Sequence, residues 1–569
     1  MCGIFGGIGA TEDEVRACLE RIRRGNDGIT TRQYGAVVLG ARRHLVKESN
    51  KVGVAPGESD QPYSSDDSKT HLVFNGELYN FDVLREDLKA GGATFATEGD
   101  TEVFLRMYEA YGEAFCDNPR KFDSLFALAV LDEKRGKLLI TRDWPGRIPL
   151  FYYYDKDARK FLFSSELKGF APLSDLSLAD PVELVPGHMA ILDLETFELE
   201  IRTVFKPEPI KTEHPLTEVS REFHLRLKQA ARNRTMGDVP ICTMLSGGID
   251  SVMTSYYVLS SIDFDRVDFA PTSYVYAISD YESEDVRRAK KAAEGFEAIG
   301  LTLKEIRTPG EQLVEDLPDI IHTFEMRKIK ALSVYPLPIY YYLGPVMHAD
   351  GFKVTIGGHG VDELLGAYDA WKELKASHKV QVSLKSRLAF INSIYENMMR
   401  RASIIFMNRG PIEARFPFLE TNVCEYALGI DRRWLSMSTE NVEYLLREMD
   451  KRSGPDADWT DQMHDTHRYL TTYLNNNGEH PEDADDDAIY EMEKLFWKLP
   501  LIAAGIHASD ESFLPIKVLF NPKLRGQHGS GITSLESRVI ERYREFGETD
   551  QEIFRRIVSD AFNIDAEVA

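Results

Sequence analysis

A thiol stands next to the first residue of the chain, in Met1-Cys2-Gly3-Ile4-Phe5-Gly6-Gly7, and it is the first group able to do chemistry. Removal of the methionine would leave a thiol and a free α-amine on one residue. The amine then accepts the proton as the sulfur attacks an amide carbonyl, so nucleophile and base come together. With a reference pKa of about 7.7–8.0, roughly a tenth of such an amine is free base at neutral pH. A cysteine near a chain end is a weak signal by itself. It gains weight from a second, independent group.

That group is Leu245-Ser246-Gly247-Gly248-Ile249-Asp250-Ser251, between the apolar run 239–244 and the helical-looking 252–257. The pattern reads as strand, glycine loop, helix. Such a junction aims backbone N–H groups and the positive helix end at an anion, and its glycines let a phosphate approach the main chain. No Gly-Lys-Ser/Thr ending follows, so this is not the loop that grips β- and γ-phosphates in kinases and GTPases. A Ser-Gly-Gly-x-Asp-Ser loop resembles the pyrophosphate loop of enzymes that cut ATP between its α- and β-phosphates and make an acyl-adenylate.

Together the two groups resemble the glutamine-hydrolysing branch of the asparagine synthetase family, over nearly the whole chain. The resemblance implies an N-terminal glutaminase that releases ammonia and a C-terminal synthetase that activates a carboxylate with ATP and receives the ammonia. Phe74-Asn75-Gly76-Glu77-Leu78 matches the segment in which Asn75 and the Gly76 N–H form an oxyanion hole, with Glu77 at the glutamine. Glu98-Gly99-Asp100-Thr101-Glu102 matches the stretch whose aspartate, Asp100, holds the glutamine α-amine. In the synthetase half, Leu245, Ser246, Gly247, Gly248, Asp250 and Ser251 are implied to bind ATP and pyrophosphate, with Gly357 and Gly358 of Ile356-Gly357-Gly358-His359-Gly360-Val361-Asp362. Asp250 and Asp362 are the implied magnesium carboxylates; this ion prefers hard oxygen ligands. Glu413-Ala414-Arg415-Phe416-Pro417-Phe418-Leu419 matches a run read as structural support, and Lys523 stands where the family has a lysine that closes over ATP.

Three departures bear on substrate. Where the family has an arginine for the glutamine α-carboxylate, this chain reads Arg42-Arg43-His44-Leu45, so His44 falls in place and Arg43 or Arg42 supplies the charge after a small shift. A guanidinium fork suits a carboxylate better than imidazole does. His359 replaces the glutamate between the glycines, and a neutral imidazole there also takes a proton near pH 7. The family's Arg-x-Ser-Thr-Pro run, which holds aspartate, has no counterpart in residues 331–340. The expected reaction is therefore glutamine-dependent amide synthesis with ATP and Mg2+. Aspartate is the default acid, and a related synthetase that amidates or cyclises another acid is the alternative.

Composition fits this and excludes other classes. The 569 residues allow at least two domains, and 43% hydrophobic with 11% aromatic residues argue against disorder. A net charge of −24 opposes binding to nucleic acid or an anionic membrane. Five scattered cysteines with no C-x-x-C give neither a zinc site nor a disulfide frame. No apolar stretch reaches the length of a membrane span and no signal sequence stands out, so a cytoplasmic location is expected.

Residues 1–205 are rich in β-type runs, such as 34–39 and 126–131, with helical periodicity in 12–24 and 81–89. The resemblance implies an αββα sandwich of amino-terminal-nucleophile type there. Residues 205–210 read as a linker. Residues 206–569 read as an α/β parallel-sheet ATP-pyrophosphatase unit, mainly helical from about residue 380, with 475–487 a polar acidic loop. A homodimer is an expectation from the resemblance alone.

Overall fold

The computed structural model describes residues 1–44, 46, 60–117, 120–237, 239–327, 331–366, 383–396, 398–452, 459, 461–511, 514, 516–520 and 530–565. Lys523 lies outside them.

Alternating apolar residues build the first half. Strands β1 (Gly3–Ile8), β2 (Ile29–Tyr34), β3 (Val37–Arg42), β8 (Phe151–Asp155), β9 (Lys160–Ser164) and β10 (Val182–Glu183) form one antiparallel sheet, ordered β10-β8-β9-β1-β3-β2. The second antiparallel sheet is β12-β11-β7-β6-β5-β4, from β4 (Tyr63–Ser64), β5 (Thr70–Leu78), β6 (Ser124–Asp132), β7 (Lys137–Arg142), β11 (His188–Asp193) and β12 (Leu199–Thr203). Successive side chains on a strand point to opposite faces. Ile4, Val37, Leu39 and Ala41 therefore meet Val73, Ala127 and Ala129 between the sheets. Phe5 and Val38 turn outward to Val15, Cys18 and Leu19 of helix α1 (Glu12–Arg21). On the far side, Leu72 and Phe74 pack under α2 (Phe81–Ala90) and α3 (Asp100–Tyr111), with Phe104 at the centre. The layers run α, β, β, α. Residues 34–39, read as one β-type run, are split: Gly35 has φ +57° and turns β2 back into β3 as a hairpin.

In the second half α4 (Leu216–Arg234) leads into a parallel sheet ordered β15-β14-β13-β16-β17. Its strands are β13 (Ile241–Met244), β14 (Thr272–Ile278), β15 (Thr302–Thr308), β16 (Val354–Ile356) and β17 (Glu413–Arg415). The order runs outward from β13 to β15 and then resumes on the other side of β13 with β16. The topological switch point thus lies between β13 and β16, where open α/β sheets place their ligands. Among the described residues after 380 the regular structure is helical, as the pattern suggests, apart from β17. Residues 475–487 link the helices Asp461–Asn475 and Asp486–Trp497, and Asp485 caps the second by accepting from the Ala488 N–H at 2.8 Å.

Buried charges cross between the halves. Arg24 Nε donates to Glu166 at 2.8 Å, Lys168 reaches Glu166 at 2.7 Å and Glu325 at 2.8 Å, and Asn408 donates to Glu166 at 2.8 Å. Burial alone would raise the Glu166 pKa, but Lys168 and Arg24 outweigh it and hold the carboxyl at about 2, against an ordinary 4.5. Glu413, also buried, is held at about 2 by the Met1 ammonium, while the methionine is in place, and by Arg415. Depressed carboxyls stabilise the fold above their unfolded pKa of about 4.3, and that stability disappears as pH falls toward the folded value. We expect these two carboxyls to make the thermal midpoint drop steeply between pH 4.5 and 2. Glu166→Gln should flatten that drop in a pH series of melting curves.

Candidate functional site

Two centres stand at the ends of the two sheet systems. At the first, Cys2 precedes β1 and is partly exposed. Its Sγ accepts the His44 backbone N–H at 3.4 Å. Ser165, just after β9, accepts from the Ile4 N–H at 2.9 Å and from the Asn75 side-chain N–H at 3.2 Å, which ties the strand of Cys2 to Asn75 on β5. Asn75 is wholly buried. Gly76 has φ +149°, and a Cβ there would lie 2.0 Å from the Leu125 carbonyl, so only glycine fits. Asp100 accepts the Leu78 N–H at 3.0 Å. The predicted residues Cys2, Asn75, Gly76, Glu77 and Asp100 therefore gather around one end of the sandwich.

Burial pushes the Cys2 thiol up, against the pull of the terminal ammonium, the His44 N–H and Arg43. The sulfur thus rests as a thiol. Glu77 is pushed well above the usual carboxylate range by burial, with Glu413 and Asp100 adding to it.

The Arg42-Arg43-His44 ambiguity narrows. Arg42 is engaged in holding the loop before β2, donating to the carbonyls of Gly25 and Ile22. His44 is 6% exposed, and burial with the terminal charge holds its pKa well below the usual value, so it is neutral at pH 7. A neutral ring brings no charge to a carboxylate. Arg43 is the cation near Cys2, paired to Asp60 at 2.5 Å.

The first centre touches the second half of the chain directly. The Met1 amine lies 3.0 Å from Glu413 on β17, both fully buried, and Arg415 holds the same carboxylate at 2.7 Å. The run 413–419, read as structural support, opens with the edge strand β17, whose Glu413 reaches the Met1 amine, and passes into a 3-10 turn at Pro417–Leu419. A three-residue strand is too short to show a period.

The second centre sits at the switch point. β13 and β16 pair in parallel register, Cys242 opposite Thr355, so the turns after them lie side by side. Gly247 has φ +75° and abuts the Arg288 backbone, where a Cβ would come within 2.3 Å. Gly248 is the N-cap of α5 (Ile249–Leu259), with no side chain capping its N–H groups. Such an N-terminus favours an anion. Ser251 Oγ donates to the Gly248 carbonyl at 2.9 Å and accepts the Ser246 N–H at 3.1 Å, which fixes the loop. Gly358 allows the second turn to approach α5, since a Cβ there would lie 2.7 Å from the Asp250 carbonyl.

Asp250 and Asp362 meet across this gap at a residue the sequence reading missed. Lys498 Nζ lies 2.6 Å from Asp250 Oδ1 and 2.8 Å from Asp362 Oδ1. Its side chain is 4% exposed; burial lowers its pKa, and Asp250 opposes that. The signal was a lone lysine inside the apolar run 495–504. Two carboxylates aimed at one cation form a donor set of the kind magnesium takes beside phosphate oxygens.

His359 is half-buried between Gly358 and Gly360. The Tyr335 hydroxyl donates to Asp550 at 2.8 Å and its ring meets Phe554. Among the described residues no helix is long and apolar enough to cross a membrane.

A thiol-tipped αββα sandwich packed against a parallel sheet with a phosphate-type switch point defines an amidotransferase joined to an ATP-using synthetase. Comparison with known proteins agrees on both halves. Residues 1–199 match the glutamine amidotransferase domain family and residues 222–389 match the asparagine synthase family. Glutamine-hydrolysing asparagine synthetase 2 of Oryza sativa subsp. japonica is 26% identical over 448 residues, covering 76% of this chain and 70% of its own. The glutamine-hydrolysing asparagine synthetase of Sandersonia aurantiaca is 26% identical over 447 residues, covering 76% of this chain and 79% of its own. The chain belongs to the glutamine-hydrolysing asparagine synthetase family.

Proposed function

We propose that the chain hydrolyses glutamine at Cys2, adenylates aspartate with ATP, and lets the released ammonia displace AMP to form asparagine. The glutaminase unit is assigned to residues 1–205 and the synthetase unit to 206–569, in the cytoplasm. The observation that carries this is the pairing, in one chain, of the Cys2–Asn75 centre with Asp250, Asp362 and Lys498 at the switch point.

In the first unit the Cys2 sulfur attacks the glutamine side-chain carbonyl and its proton passes to the α-amine exposed by methionine removal. The Asn75 side chain and the Gly76 N–H receive the developing oxyanion, a contribution typically worth about 3 kcal/mol per donor. Asp100 and Glu77 hold the glutamine backbone groups, and Arg43 its carboxylate. In the second unit the 245–251 loop and the α5 N-terminus bind the β- and γ-phosphates, with Gly357 and Gly358 beside them. Magnesium, when held by Asp250 and Asp362, offsets phosphate charge. Lys498 turns from those carboxylates to the phosphates, and Lys523, proposed from sequence alone, adds charge at the α-phosphate. His359 takes the proton that ammonia sheds.

A second reading has the same chemistry on a different acid. It is favoured by His359 in place of glutamate and by the missing Arg-x-Ser-Thr-Pro run. Pyrophosphate release with glutamine, ATP and magnesium, across a panel of acids, tests both. Strong aspartate dependence with asparagine as product is the expected result. Turnover that ignores aspartate and follows another acid establishes the second reading.

A further inference from the structure

The geometry points to Tyr340 as the positioning residue that fixes His359 for proton transfer, an inference that rests on the ligase reading above. Tyr340 lies on the helix Leu337–Ala349, far in sequence from the glycine turn, yet its hydroxyl is 2.6 Å from His359 Nε2. That is a short, well-formed hydrogen bond. The two rings lie 5.8 Å apart, and Phe416, just after β17, meets the imidazole edge-on at 5.1 Å and 76°. Tyr340 is itself held edge-on by Phe406 at 5.3 Å and is 6% exposed. The phenol is the more buried member of the pair, and His359 Nδ1 faces the Gly357 turn. Gly357 completes the arrangement, because a Cβ there would lie 2.9 Å from His359 Nδ1.

A hydrogen bond to one ring nitrogen sets the tautomer and the orientation of the other. The phenol accepts from the Nε2–H, which leaves Nδ1 as the bare nitrogen that takes the proton, and the same bond persists in the charged ring. No bond is lost when the ring gains a charge. During amide formation an ammonia N–H bond breaks as the C–N bond forms, the proton goes to the imidazole, and the acyl C–O electron pair leaves with AMP. Where the family has a carboxylate, this chain has an imidazole held by a phenol.

Tyr340→Phe keeps the ring and its packing on Phe406 while removing the hydroxyl. The full chain is assayed with ammonium as nitrogen source, following aspartate-dependent ATP–pyrophosphate exchange for adenylation and asparagine formation for the later step. Glutaminase activity reports folding. The expected result is exchange and both KM values within about twofold of wild type, with kcat for asparagine down about tenfold or more, the usual scale of acid–base assistance. His359→Gln should show at least the same loss, and the double variant no further loss. Tyr340→Phe with unchanged kcat, with KM alone raised, or with a loss that multiplies that of His359→Gln overturns the inference. A wild-type chain that shows no aspartate-dependent exchange overturns the aspartate reading and this inference with it, so the two failures are distinguishable.

Discussion

Replacing Cys2 by alanine is expected to abolish glutamine-dependent turnover, by at least about a thousandfold, while ammonia-dependent amide synthesis continues near the wild-type rate. In the proposed mechanism the thiol is the nucleophile, and His44 beside it offers only its backbone N–H to the sulfur, its ring being neutral and buried. The synthetase centre shares no catalytic residue with Cys2, so ammonium salts should bypass the lesion. Ammonia release from glutamine, measured beside asparagine formation from ammonium, checks both halves of the statement. Loss of both activities would mean that the thiol supports the fold and not the chemistry. Retention of glutaminase would remove Cys2 from the mechanism altogether.

The second large effect is expected at Lys498. Lys498→Ala should lower ATP–pyrophosphate exchange by about a hundred- to a thousandfold, the scale on which one electrostatic group in a closed site acts. Two terms add. The phosphates lose a cation, and Asp250 and Asp362 are left facing one another at a buried position without the ammonium that joins them. Glutaminase activity should persist, since that centre lies on the other sheet system. Lys498→Arg should recover little of the loss, because a planar fork does not replace a compact ammonium between two carboxylates. Exchange rates in these variants decide the matter; a wild-type rate in Lys498→Ala would reduce the lysine to a counter-ion for folding.

The contrast between Cys2 and Lys498 shows what local sequence carries. Cys2, Asn75, Asp250 and Asp362 are legible because each sits in a short run whose glycines and polar residues are demanded by backbone geometry at that spot. Gly76, Gly247 and Gly358 stand where a Cβ would strike main chain. Lys498 and Tyr340 are defined by what tertiary packing brings to them from elsewhere in the chain. Only composition hinted at Lys498, as one charge in an apolar run. The sandwich was legible as alternation, but the β2–β3 hairpin needed the left-handed Gly35, and β17 is too short to announce itself.

The buried charges that join the halves have a consequence for how the gene can be cut. Glu166 takes its partners from both sides of the 205–210 segment, and so does Lys168. An expression clone ending near residue 205 would hold Lys168 without Glu325, and a clone starting there would hold Glu325 without Lys168. Each fragment would carry ionised groups into an apolar face that water must then enter. The two halves read as separable modules on paper, yet neither surface is finished alone, and domain exchange with a relative would have to carry both sides of this seam together.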